Sequence, residues 1–118
     1  MNAVSGLVPA HVTLGVNDLD ASERFYREAL GLDVRREGEK LSVTFGTFLL
    51  VLESAPPAER AKIAVGFRVA SAALLEEIAE RARQSGGQVL AGPAAREGGV
   101  ALLLMDPSHY QLEILAPA

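Results

Sequence analysis

Residues 11–32 read HVTLGVNDLDASERFYREALGL, and two periodicities meet inside them. Val12, Leu14 and Val16 alternate with His11, Thr13 and Gly15, the period of two that marks a strand with one buried face. Beyond Asp20 the period lengthens, and Ala21, Phe25 and Ala29 fall on one helical face. Asp20 with Glu23 three residues on has the form of a capping box, and Gly31 stands where a glycine ends a helix. The stretch predicts a strand, a tight connection and a helix. It also places a histidine on the side of the strand that the helix does not cover.

Working outward, a short strand is expected around Val34, followed by a turn at Glu37-Gly38-Glu39. Leu41, Val43 and Phe45 alternate again, and FLLVLE closes the first half at Glu53. Residues 55–60, APPAER, suit a linker, because consecutive prolines fit neither a helix nor a central strand. The plan then repeats. Ile63, Val65, Phe67 and Val69 alternate with Ala64, Gly66 and Arg68. Ser71 can cap a helix whose apolar stripe is Leu74, Leu75, Ile78 and Ala82, ending before Gly86-Gly87. A strand near Val89, a Gly/Pro-rich loop, a strand from Val100 to Met105 and a last strand at QLEIL complete the copy. HVTLGV overlays AVGFRV at an offset of 53, and Val43–Glu53 overlays Leu103–Glu113 at an offset of 60, which superposes Glu53 on Glu113. The expected fold class is α+β. Two βαβββ modules, about 8–54 and 62–116 with a linker at about 55–61, make one domain whose curved mixed sheet surrounds a cleft.

Composition bounds the function. A chain of 118 residues can bury a real core as one domain. A formal charge of −4 without a basic stripe argues against nucleic acid as a partner. Without cysteine there are no disulfides, thiolate zinc sites or cysteine nucleophiles. The longest apolar runs, such as VALLLM, are too short to cross a bilayer, and MNAVSGLVPA lacks the charged and apolar regions of a signal segment. No membrane partner is expected, and the cytoplasm is the default location. GGQVLAGP has no phosphate-loop spacing, and EEIAERAR is most simply a solvated helix face.

The uncovered face of each first strand receives small or polar residues: His11, Thr13 and Gly15, then Ala64, Gly66 and Arg68. Glu53 and Glu113 each interrupt an apolar strand, so each must find a cation, a hydrogen-bond donor or solvent. Together with DPSHYQLEIL near the C-terminus, this arrangement resembles the vicinal oxygen chelate superfamily of glyoxalases, bleomycin-resistance proteins and extradiol dioxygenases. The resemblance runs from about Val8 to Leu115. The family turn usually reads Asp-Pro, an acidic or small residue, Gly and Asn, whereas Ser108, His109 and Tyr110 follow Asp106-Pro107 here.

In metal-using relatives the first strand of each module gives a histidine and the last a glutamate. Carried across, the resemblance implies His11, Glu53 and Glu113 as metal ligands, with Ala64 in the place of the second histidine. One divalent ion (Mg, Mn, Fe(II), Ni or Zn) is then the implied cofactor, and Glu113 or Glu53 the implied catalytic base. Ala64 disfavours dioxygenase and fosfomycin-transferase chemistry. Arg68 either clamps an anionic substrate or neutralises a glutamate; Thr13 and His109 join it as candidate substrate contacts. The expected protein is a homodimer handling a small organic ligand in a cleft lined by His11, Glu53 and Glu113. Alternatives are a metal-dependent lyase or isomerase of the glyoxalase type and a metal-free drug-binding protein of the bleomycin-resistance type.

Overall fold

The computed structural model describes residues 10–56 and 64–118. The strand read from the opening stretch is β1 (His11–Val16). Its neighbours are β2 (Asp33–Glu37), β3 (Lys40–Phe45) and β4 (Phe48–Ser54), in the order β1-β4-β3-β2. The second module repeats the order as β5-β8-β7-β6, with β5 (Ala64–Arg68), β6 (Gln88–Arg96), β7 (Gly99–Met105) and β8 (Gln111–Ala116). In each sheet the first and last strands of the module run parallel and the other neighbours antiparallel. The parallel pair is possible because a helix carries the chain back between them. The expected α+β class and doubled βαβββ plan hold. Most of the linker, like Ile63, lies outside the described residues.

Helix α1 (Leu19–Arg24) begins two residues earlier than the capping-box reading placed it. Asp18, in extended conformation, accepts a hydrogen bond from the Ala21 N–H at 3.1 Å. Asp20 and Glu23 instead face Arg36 of β2. The helix continues as a π turn over Phe25–Ala29 and stops where Gly31 takes a left-handed φ of 65°. The wider π turn lets the adjacent residues Phe25 and Tyr26 both be fully buried. In the second module α2 (Ala73–Gln84) starts after Ser71, whose Oγ accepts from the Ala73 N–H. Asp18 and Ser71 stand at the offset of 53, so the repeat extends to the helix starts. Leu75, Ala79 and Ala82 form its buried face, and Leu74 turns out to solvent.

One apolar core spans both modules. Leu14, Val16, Leu41, Val43, Leu50 and Leu52 meet the first helix, while Leu102, Leu104, Leu112 and Ile114 belong to the second module. Removing such side chains from water is the main stabilising term. Polar bonds then fix how the modules sit. The Tyr26 hydroxyl donates to Asp106 Oδ2 at 2.7 Å, and the Tyr110 hydroxyl donates to the Gly15 carbonyl at 2.7 Å. Asp106 Oδ1 accepts the N–H groups of Ser108 and Tyr110, folding the Asp-Pro turn around its own side chain. Burial pushes the Asp106 carboxyl up from its ordinary value, against the lowering effect of those donors. The Tyr26 phenol is raised well above its own, chiefly by burial and then by the neighbouring carboxylate.

Candidate functional site

The helices leave the opposite face of each sheet uncovered. On module one, His11 and Thr13 are exposed, beside half-buried Leu49, Val51 and Glu53. On module two, Ala64, Gly66 and Arg68 lie beside Gln111, Glu113 and Leu115. The two-faced reading is correct for β4 and β8, where Leu50, Leu52, Leu112 and Ile114 are buried under the helices and their neighbours are not. On β1 it holds for Leu14 and Val16, whereas Val12 is exposed, and on β5 Val65 and Phe67 are half-buried.

Module two carries the denser chemistry. Glu113, half-buried on β8, pairs with Arg96. Arg96 ends β6, the segment whose Gly/Pro content reads as a loop in the sequence. In the structure β6 runs through Gly92-Pro93 to Arg96, absorbing the irregularity as register shifts after Val89 and Ala91. That continuation brings Arg96 alongside β7, from which its long side chain reaches Glu113. A sequence signal for it exists: Glu97-Gly98, with a left-handed Gly98, is a two-residue hairpin turn closed by Arg96 and Gly99. Arg68 lines the same cavity, of about 550 Å³, with Arg96, Gly98, Gly99, Glu113 and Leu115. No carboxylate among the described residues forms an ion pair with Arg68. Two guanidiniums and two carboxylates, Glu97 and Glu113, thus line one cavity, and Arg96 is already engaged by Glu113.

The remaining candidates fall elsewhere. Glu53 lies across from Gly15 and next to Lys40 of β3, with Lys40 Nζ 3.9 Å from its carboxylate. Each glutamate has found a cation, and in neither case is it Arg68. His109 occupies the turn ahead of β8, exposed, with a left-handed φ of 71°. It sits at the end of sheet two away from Arg96.

Register overturns one part of the internal overlay. Gly66 pairs with Glu113 on β8, and its module-one counterpart Thr13 pairs with Val51. Val51, not Glu53, therefore occupies the place of Glu113, and the offset on this strand is 62 rather than 60. The reason is turn length. The β3–β4 hairpin closes through Gly46 and Thr47, whereas the β7–β8 turn uses Asp106 to Tyr110, so no ungapped overlay can carry both strands. Glu53 is four residues along the ladder from the rung of His11, about 13 Å at ~3.3 Å per residue.

That spacing bears on the implied metal. Strand side chains stand roughly perpendicular to the sheet, so His11 and Glu53 do not converge. The residues nearest His11 on β4 are Leu49 and Val51, which cannot ligate. Glu113 is held by Arg96. Among the described residues no three His, Asp or Glu side chains are grouped to hold an ion. The donors of one chain do not fit the metal centre that the resemblance implies.

Comparison with known proteins places this architecture. Residues 9–114 match the Glyoxalase/Bleomycin resistance protein/Dioxygenase superfamily. With two βαβββ modules and open sheet faces, the chain belongs to that family. A glyoxalase-related enzyme from Fulvimarina pelagi is 28% identical, with a TM-score of 0.82 over 94% of this chain and 88% of that one. A glyoxalase/bleomycin resistance protein from Albidiferax ferrireducens is 21% identical, with a TM-score of 0.81 over 92% and 98% respectively. Among curated proteins there is no match. Among the described residues, no helix is long and apolar enough to cross a membrane.

Proposed function

We propose that the protein binds a small anionic organic molecule on the open face of module two. Arg68 and Arg96 supply the donors, and Glu113 holds Arg96 in place and is a carboxylate able to exchange a proton with the ligand. The observation that carries this reading is the pair of guanidiniums flanking one cavity, Arg68 having no ion-pair partner among the described residues. Guanidinium forks match carboxylate and phosphate oxygens in shape as well as charge. The reading includes a homodimer. Half-exposed Leu49, Val51, Leu103, Met105 and Leu115 give both open faces apolar area to bury, and closure would set His11, Thr13 and Glu53 of one chain facing the module-two site of another. Family membership is compatible with many chemistries, so the fold alone assigns no reaction.

The test is an NMR titration with acetate and with inorganic phosphate. Shifts are expected at Arg68, Arg96, Gly98 and Gly99, and Arg68→Gln or Arg96→Gln should each weaken binding by about tenfold or more. Lys40→Gln, on module one, should leave it unchanged. Equal binding by all three variants would refute the assignment. Sedimentation velocity at micromolar concentration tests the dimer, and a strict monomer would refute it.

A further inference from the structure

A second cavity, of about 370 Å³, opens between the modules. Module one contributes Leu30, Leu32, Phe45, Phe48 and Leu50 to its wall. Module two contributes β5, with Ile78 of α2 and Ile114 of β8. Phe45 and Phe67 touch across it, ring centroids 5.2 Å apart. All the lining side chains are apolar except one, and that one is Arg68. Arg68 and its neighbour Val69 also line the polar cavity described above. Arg68, on the edge strand of its sheet, therefore borders both an apolar chamber and a polar one.

We infer that the ligand is amphipathic: a carboxylic acid with an aliphatic or aryl body, its carboxylate on Arg68 and its body in the inter-module chamber. Two physical requirements support this pairing. The chamber falls within the size range of small-molecule sites, which are apolar with few placed polar groups. An acid with an apolar tail is the chemical class that satisfies a lone guanidinium at the mouth of such a wall, because its charge stays at the wet rim while its carbons leave water. A small hydrophilic anion would use the rim and leave the chamber unfilled. The inference rests on the reading of Arg68 as an anion anchor and adds the body of the ligand to it.

A chain-length series separates the two claims. The probes are the straight-chain carboxylates from acetate to octanoate, with octan-1-ol as the neutral control, titrated into the full-length protein by NMR or calorimetry. Each methylene entering the chamber should tighten binding by roughly fourfold, placing octanoate on the order of 100-fold tighter than butanoate. Arg68→Gln should cost octanoate about tenfold or more and leave octan-1-ol unaltered. Ile78→Phe, which narrows the chamber, should weaken octanoate and spare acetate, with circular dichroism confirming the fold. If that variant misfolds, the series on the unaltered protein decides. Affinity independent of chain length while acetate still binds would overturn the chamber and leave the anion site standing. A chain-length slope unaffected by Arg68→Gln would overturn the placement of the head group. Failure of every carboxylate to bind would overturn both readings.

Discussion

Replacing Tyr26 with phenylalanine removes one oxygen atom from the contact that joins the modules. The ring is fully buried and packs edge-on against Phe25 at 5.2 Å, and phenylalanine keeps that packing. What goes is a 2.7 Å donor to the Asp106 carboxylate, which is only 1% exposed. Oδ1 retains its two backbone donors, and Oδ2 is left without the hydroxyl. A hydrogen bond to a charged group contributes about 1.5–3 kcal/mol, so Tyr26→Phe should destabilise by that amount. In an Asp106→Asn background the partner is neutral, and the same change should cost about 0.5–1.5 kcal/mol. Urea unfolding followed by far-ultraviolet circular dichroism measures both, since the chain has no tryptophan to report fluorescence. The loss should also shrink on acidification. The hydroxyl lowers a carboxyl pKa that burial has raised, so its removal matters most while Asp106 is ionised. A change below about 0.5 kcal/mol at neutral pH, well under the range for a charged hydrogen bond, would refute this account of the clamp. So would an equal loss in both backgrounds.

Other expectations follow from neighbouring geometry. Because the folded pKa of Asp106 is raised, its contribution is complete below the ordinary aspartate range and is lost as pH rises through the folded value; Asp106→Asn should flatten that part of the stability–pH curve. Gly87→Ala would drive a methyl group into the Phe25 ring and against the Met105 carbonyl oxygen, lowering stability by about 1–3 kcal/mol in the same urea assay. Glu53→Gln breaks a solvent-accessible pair with Lys40 and should change stability by less than about 1 kcal/mol in urea unfolding. His109→Gly should be neutral or stabilising by up to about 1 kcal/mol in thermal unfolding, whereas His109→Val, β-branched at positive φ, should destabilise by roughly 1–2 kcal/mol.

Local periodicity made the doubled plan legible. Val12, Leu14 and Val16 announced β1, and Leu112 and Ile114 announced the buried side of β8, because alternation is a direct consequence of strand geometry. Chemistry that depends on how strands align was less visible. Glycine and proline at 92 and 93 suggested a break, yet a strand can absorb them as bulges, and the extension carries Arg96 to its partner. The counterpart of Glu113 depended on the lengths of two hairpin turns, which hydropathy does not measure. The cap moved from Asp20 to Asp18 because both residues fit the pattern, and an ion pair with Arg36 drew the former away. Sequence alone located the uncovered faces and Arg68; the groups assembled around Arg68 depend on tertiary register.

The clamp between the modules makes the two halves unlike in a way their shared plan conceals. At the offset of 53, the place of Tyr26 on the first helix is taken on the second by Ala79, which has nothing to donate. The carboxylate that receives the phenol belongs to the five-residue turn, and the first half has only the short Gly46-Thr47 hairpin there. A chain assembled from two first halves would bury a phenol without its carboxylate acceptor, and one from two second halves a carboxylate whose Oδ2 lacks the phenol donor. The halves fit as key and lock, so neither can be duplicated in place of the other.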